Sequence, residues 1–155
     1  YVIYNHPMRP ALMEKEVTWN FRPLEISKMQ QAAAYLLGTH DFSSFRAAAC
    51  QANTPIRTMR HLNVISAGNY IVLDVCANAF LHHMIRNLAG LLMKIGAGEA
   101  PPEWALEVLM AKDRRVSAAT AKPYGLYFVN AEYDDSFGLP KQPVGPHFLE
   151  PWMNA

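Results

Sequence analysis

The sequence reads as an α+β domain, an antiparallel sheet with helices packed on one face. Three observations lead to this class. Residues 57–65 alternate toward Leu62 and Val64, Ala67-Gly68-Asn69 offers a turn, and residues 70–75 return as a β-branched and aromatic run, which together spell a hairpin. Residues 80–95 place Phe80, Leu81, Met84, Ile85, Leu88, Leu91, Leu92 and Ile95 at helical spacing over most of the circumference, the pattern of a core helix. Strands and helices also mix without the strict alternation that a parallel sheet needs.

The elements follow in order. Tyr1-Val2-Ile3-Tyr4 has strand composition, and the prolines in residues 5–10 make a turn-rich connection, because each fixes its own φ and biases the preceding residue away from helix. Pro23 heads a helix on which Leu24, Ile26, Met29, Ala33, Leu36 and Leu37 recur, with Gly38 expected as its left-handed cap. Residues 39–55 are expected to be irregular. The hairpin and the core helix follow, and Gly96 is expected to end that helix. Pro101-Pro102 starts a shorter helix over residues 103–111, which offers Trp104, Leu106, Val108 and Leu109 for burial. Residues 120–125 read as a loop, residues 126–133 as a final strand, and the tail through Pro140, Pro143, Pro146 and Pro151 as extended chain.

Composition narrows the function classes. At 155 residues the chain is expected to form a single domain, residues 1–155, able to bury a core without disulfide or metal support. No window nears the roughly 18 consecutive apolar residues of a membrane span, so a soluble protein with no membrane partner is expected. Cys50 and Cys76 stand apart in no metal-ligand spacing, which fits a reducing compartment and points to the cytoplasm. The formal charge of +1 announces no polyanionic partner, although residues up to Val72 carry seven basic against four acidic side chains and the remainder seven against nine. With no initiator Met and a strand-like start, the chain is expected to begin partway through a longer protein.

Arg86 stands out because it interrupts an otherwise apolar helix. On that helix His82 and His83 would lie at i−4 and i−3, with Ala89 and Gly90 at i+3 and i+4, so the guanidinium would sit beside imidazoles above a patch with little side-chain bulk. Gly90 costs about 1 kcal/mol relative to alanine in a helix interior, which implies a packing or access reason for it. Spacing alone equally fits the solvated stripe of an amphipathic helix. Adjacent histidines on a helix point about 100° apart, and no Asp, Glu or Cys completes a site with them, so no metal is expected. Ser43, Ser44 and Ser117 lack a nucleophile-elbow setting, and Gly96-Ala97-Gly98 ends a helix where a phosphate loop would begin one. Residues 124–129 partly match the aromatic strand of RNA-recognition motifs, with core packing expected for at least one of Tyr127 and Phe128. Arg46, Arg57, Arg60, His61, Arg114 and Arg115 are carried only as a group of possible phosphate contacts.

Several stretches in this order resemble the tRNA pseudouridine synthase A family. They are Leu37-Gly38 followed by His40-Asp41-Phe42 and Phe45-Arg46; Ala77-Asn78-Ala79-Phe80 with His82-His83-Met84-Ile85-Arg86-Asn87 and Gly90; and Ala119-Thr120-Ala121 with Gly125-Leu126. The resemblance implies the C-terminal half of an enzyme that makes pseudouridine at positions 38 to 40 of the tRNA anticodon stem-loop, with no cofactor and as a homodimer. It implies that Arg86 pairs with the nucleophilic aspartate, that Leu126 lines the base pocket, and that Gly125, His82, His83 and Arg46 lie on the substrate side. The family's aspartate sits in an Arg-Thr-Asp-x-Gly-Val-His type motif, and none of Asp41, Asp74, Asp113, Asp134 or Asp135 has that setting. The catalytic N-terminal half is therefore expected to be absent and the chain inactive alone. The family's active-site tyrosine falls just upstream, so Tyr1 does not take that role. A stand-alone RNA-binding module and a dimerisation domain are the alternative readings.

Overall fold

A computed structural model describes residues 1–140 and 145–149; the expected extended chain at Pro143 and Pro151 lies outside them. Five strands form one sheet: β1 (Val2–Asn5), β2 (Thr18–Asn20), β3 (Gly38–Asp41), β4 (Ile56–Ala67) and β5 (Tyr70–Ala77), in the order β2-β1-β5-β4-β3. The helices are α1 (Ile26–Ala34), α2 (Met84–Gly96) and α3 (Trp104–Ala111). This is the expected α+β architecture, with one refinement: β1 pairs with β2 in parallel, while the other three pairings are antiparallel.

Strand alternation divides the apolar residues between two faces. Ile3, Ile71, Leu73, Leu62 and Val64 enter the main core with all three helices, whereas Val2 and Val72 join Val17 and Leu149 on the opposite face. Met59 and Leu62 both reach the main core although they are three residues apart. A bulge between Met59 and His61 inserts the extra residue, which leaves Arg60 exposed. Within α2, Met84, Leu88, Leu91, Leu92 and Ile95 are at most 1% exposed, so this helix is the centre of the core. Burying each such side chain contributes about 1.5–3 kcal/mol. No helix among the described residues is long and apolar enough to cross a membrane.

Several expected boundaries move. The first helix ends at Ala34, where the chain tightens into i−3 hydrogen bonds from Tyr35 and Leu36, and Gly38 (φ +95°) opens β3 in place of capping a helix. The expected irregular stretch 39–55 thus contains a strand and a 3₁₀ turn, Ser43–Phe45. Polar Thr39-His40-Asp41 carries no strand signature; pairing with β4 imposes the conformation. The core helix begins at Met84, not Phe80, because His83 is left-handed (φ 60°) and breaks the ladder. At its other end the helix stops at Gly96, as expected, and the left-handed residue after it is Gly98. Residues 126–133 form no strand: they have the composition of one, yet no described strand offers their backbone a partner.

Candidate functional site

The site is built where the N-terminal end of α2 meets β1, β5 and the chain after Gly125. Here a groove of about 390 Å³ opens, lined mainly by apolar side chains that include Val2, Val72, Phe80, Leu126, Phe128 and Val129. Its polar wall comes from Arg86, His82, His83, Asp74 and Tyr1. The structure thus brings Arg86, His82, His83 and Leu126 together in one cavity.

Arg86 projects from the first turn of α2 and is half-buried, so the freely exposed side chain expected on a solvated helix stripe is not what the fold provides. Its Nε donates to Ala121 O at 2.8 Å, which leaves the two Nη groups as donors toward the groove. None of the ion pairs formed among the described residues involves Arg86. A guanidinium in such a setting favours an incoming carboxylate or phosphate, which its planar fork can bind in bidentate fashion.

His82 and His83 do not flank Arg86 along a helix face. They precede the helix, and their rings lie against each other, tilted by 32° with centroids 4.0 Å apart. The left-handed backbone of His83 makes this possible, a conformation that bulky residues adopt at a cost and that recurs at functional sites. Burial first, then the nearby His82 and the Arg86 charge, hold the His83 imidazole below its usual range, which favours its neutral form. His82 N donates to Cys50 Sγ at 3.4 Å, which ties this turn to the loop after Phe45. No group of three or more His, Cys, Asp or Glu converges as a metal site would among the described residues.

The segment behind Arg86 is clasped from both sides. Gly90 lies against it so closely that an added Cβ would come within 2.1 Å of Ala119 O, so what approaches this bare patch of α2 is the protein's own backbone. Ala121 N donates back to Arg86 O at 3.1 Å. Gly125, at φ +87°, packs against β1, where its carbonyl accepts from Val2 N at 2.8 Å. Leu126 follows directly and presents its side chain to the groove, 45% exposed.

Other predicted residues lie elsewhere. Arg46 is not part of the groove lining; its Nη2 donates to Cys50 O at 3.0 Å and Ala52 O at 2.6 Å, holding the loop whose Cys50 meets His82. The remaining basic group also finds internal partners: Arg57 on Thr54 O and Ile56 O, Arg60 on Glu132, Arg114 on Asn87 and Thr120, and Arg115 on Asp113. His61 Nε2 stands 3.2 Å from Asp74, at ion-pair distance without hydrogen-bond alignment. Tyr127 packs against Phe148 while Phe128 is 84% exposed, so the two rings divide between packing and solvent. Sequence reasoning did not reach Thr18 and gave no such role to Tyr1 or Asn87, which hold the Ala121 segment; its one pointer to that segment was the stretch Ala119-Thr120-Ala121.

Comparison with known proteins places this geometry in context. A family described as tRNA pseudouridine synthase matches residues 32–134. The tRNA pseudouridine synthase A of Pseudomonas aeruginosa is 60% identical over 149 residues, which cover 96% of this chain and 52% of that protein. The like-named protein of Alcanivorax borkumensis is 52% identical over 100% of this chain and 58% of its own length, and that of Nitrosococcus oceani 55% identical over 91% and 54%. The chain spans about half the length of the curated relatives it matches.

Proposed function

Because this chain belongs to the tRNA pseudouridine synthase family, we propose that it is the C-terminal half of a tRNA pseudouridine synthase A and that its groove forms one wall of the uridine-isomerising site. The observation that carries this reading is Arg86, half-buried in a mainly apolar groove, its Nε held by a backbone carbonyl and forming no ion pair with Asp74 or any other carboxylate among the described residues. In the whole protein the partner is the nucleophilic aspartate, contributed from the part of the relatives' length outside this chain. Arg86 keeps that carboxylate ionised and oriented, since a neighbouring cation favours the charged form. The bond from the ribose to uracil N1 breaks, the released base turns against the apolar wall at Leu126, and C5 bonds to the ribose carbon while its proton is lost and N1 gains one. The uridine leaves its stack to reach the groove, as bases do for enzymes that act on them. The substrate is the tRNA anticodon stem-loop, His82, His83 and Gly125 belong to the substrate side, Arg46 serves it only through the loop whose Cys50 meets His82, and the enzyme works as a cytoplasmic homodimer without cofactor.

Arg86→Ala in the full-length enzyme tests this. Turnover of unmodified tRNA is expected to fall at least about 100-fold while tRNA affinity stays within a few-fold, the signature of an interaction made mainly in the transition state. Normal turnover, or lost activity that follows a melting temperature several degrees lower, would return Arg86 to a structural role.

A further inference from the structure

Three polar side chains are buried among the described residues, Thr18, Ser44 and Asn87. Two of them act on one short segment, residues 120–124. It contains Ala121, the residue that Arg86 grips through both its side chain (Nε to Ala121 O, 2.8 Å) and its backbone (Ala121 N to Arg86 O, 3.1 Å). An arginine has a long flexible stem, so one hydrogen bond at Nε orients the guanidinium plane only as well as the accepting carbonyl is itself held.

Ala121 is pinned through both neighbours. On one side Thr120 Oγ1 donates to Asn87 Oδ1 at 2.7 Å and accepts from Arg114 Nη2 at 2.9 Å. Asn87 is fixed in turn, its Nδ2 donating to Phe45 O at 2.7 Å. On the other side Tyr1 Oη donates to Lys122 O at 2.7 Å and Thr18 Oγ1 donates to Tyr124 O at 2.6 Å, with the two hydroxyl oxygens 2.5 Å apart. Two hydroxyl protons serve these three contacts, so the Tyr1 proton is shared between Lys122 O and Thr18 Oγ1. Burial pushes the Tyr1 phenol up to about 12, against the smaller opposing effects of Thr18 and Arg86, so it remains a donor at working pH.

We propose that Tyr1, Thr18 and Asn87 are positioning residues for Arg86: two hydrogen-bonded struts, one on each side of Ala121, that hold its carbonyl and thereby aim the guanidinium into the groove. The proposal rests on the reading of Arg86 as partner of the nucleophilic carboxylate. Loosening either strut leaves Arg86 in place but widens the range of orientations of its Nη groups.

Tyr1→Phe, Thr18→Val and Thr18→Ser in the full-length enzyme, beside Arg86→Ala, form the test. Tyr1→Phe and Thr18→Val are expected to lower kcat about 10-fold with KM for tRNA within about 2-fold, and Thr18→Ser to stay near wild type. The acid limb of the pH–kcat profile should also move upward, because a poorly aimed guanidinium lowers the carboxylate pKa less. Wild-type kcat and pH profile in both Tyr1→Phe and Thr18→Val, with Arg86→Ala inactive, would overturn the positioning role and leave the proposed function standing. An unshifted acid limb at a temperature where the variants are folded, with losses that track their melting temperatures, would overturn it equally. Full activity in Arg86→Ala would instead remove the functional reading on which it rests.

Discussion

Gly90 and Gly125 hold the same segment from opposite sides, for different reasons. Gly90 has ordinary helical geometry, and its Cβ would strike the backbone of Ala119, which cannot swing aside as a side-chain tip would. Gly125 combines a left-handed φ of +87° with a Cβ position 2.3 Å from Val2 O. Gly68, in the hairpin turn, has φ +61° but open space around it. Gly90→Ala and Gly125→Ala are therefore expected to destabilise by about 1–3 kcal/mol or more, and Gly68→Ala by only about 1 kcal/mol of backbone strain, as denaturant midpoints would show. Tyr1 adds a pH signature. Its phenol rises from an ordinary 10 to about 12 in the fold, so the stability it contributes is complete below pH 10 and is lost as pH rises toward 12. Thermal melts from pH 8 to about 11 should fall more steeply for the wild type above pH 10 than for Tyr1→Phe; parallel curves would contradict the burial of this hydroxyl.

Among the elements, α2 serves both packing and the groove. Its inner face fills the core and its first turn carries Arg86, so a rigid helix sets where the guanidinium starts. Leu91→Ala, at a fully buried position, is expected to cost about 2–5 kcal/mol, whereas Leu106→Ala on α3, 40% exposed, should cost well under half of that in the same urea titration. Similar losses at the two sites would mean that α3 is buried more deeply than its exposure indicates. The hairpin of β4 and β5 works differently: its bulge turns Arg60 out to meet Glu132, a contact between exposed groups whose removal should change stability by only about 0–1 kcal/mol.

For the whole molecule, the acidic groups bear on activity. Asp41 accepts from Ser43, Asp74 faces His61, Asp113 pairs with Arg115 and Asp134 accepts from Ser136 N. None of these carboxylates is paired with Arg86. The 155-residue chain alone is thus expected to release no tritium from C5-labelled tRNA above background, and turnover would show that a nucleophile lies within it. With a net charge of +1 and its arginines engaged internally, the isolated chain should bind tRNA weakly and lose most of that binding as salt rises, each phosphate contact contributing about −0.7 to −0.9 to the log–log slope. Tight binding that survives high salt would favour the RNA-binding-module reading instead.

Periodicity and local chemistry were enough to identify the α+β class, the hairpin and the core helix, and to single out Arg86 and Gly90 as residues out of keeping with an apolar helix, because each leaves a mark within a dozen residues of chain. Helix ends were less legible: apolar spacing continues through Leu36 and Phe80 although both lie outside helices, since Leu36 reaches the core from a turn and Phe80, 42% exposed, lines the groove. Strand β3 was missed because a neighbouring strand, not its own composition, makes it one, and β2 because three residues are too few to show alternation; residues 126–133 show the converse, strand composition without a described partner. Tertiary structure alone decided that the rings of His82 and His83 meet before the helix, that Gly90 lies against the backbone of Ala119, and that Arg46 braces a loop away from the groove lining. It alone brought Tyr1 and Thr18 to Ala121, more than 100 residues away along the chain. Hydrogen bonds across such separations leave no local pattern; they exist only once the sheet has set β1 and β2 beside the segment that Arg86 holds.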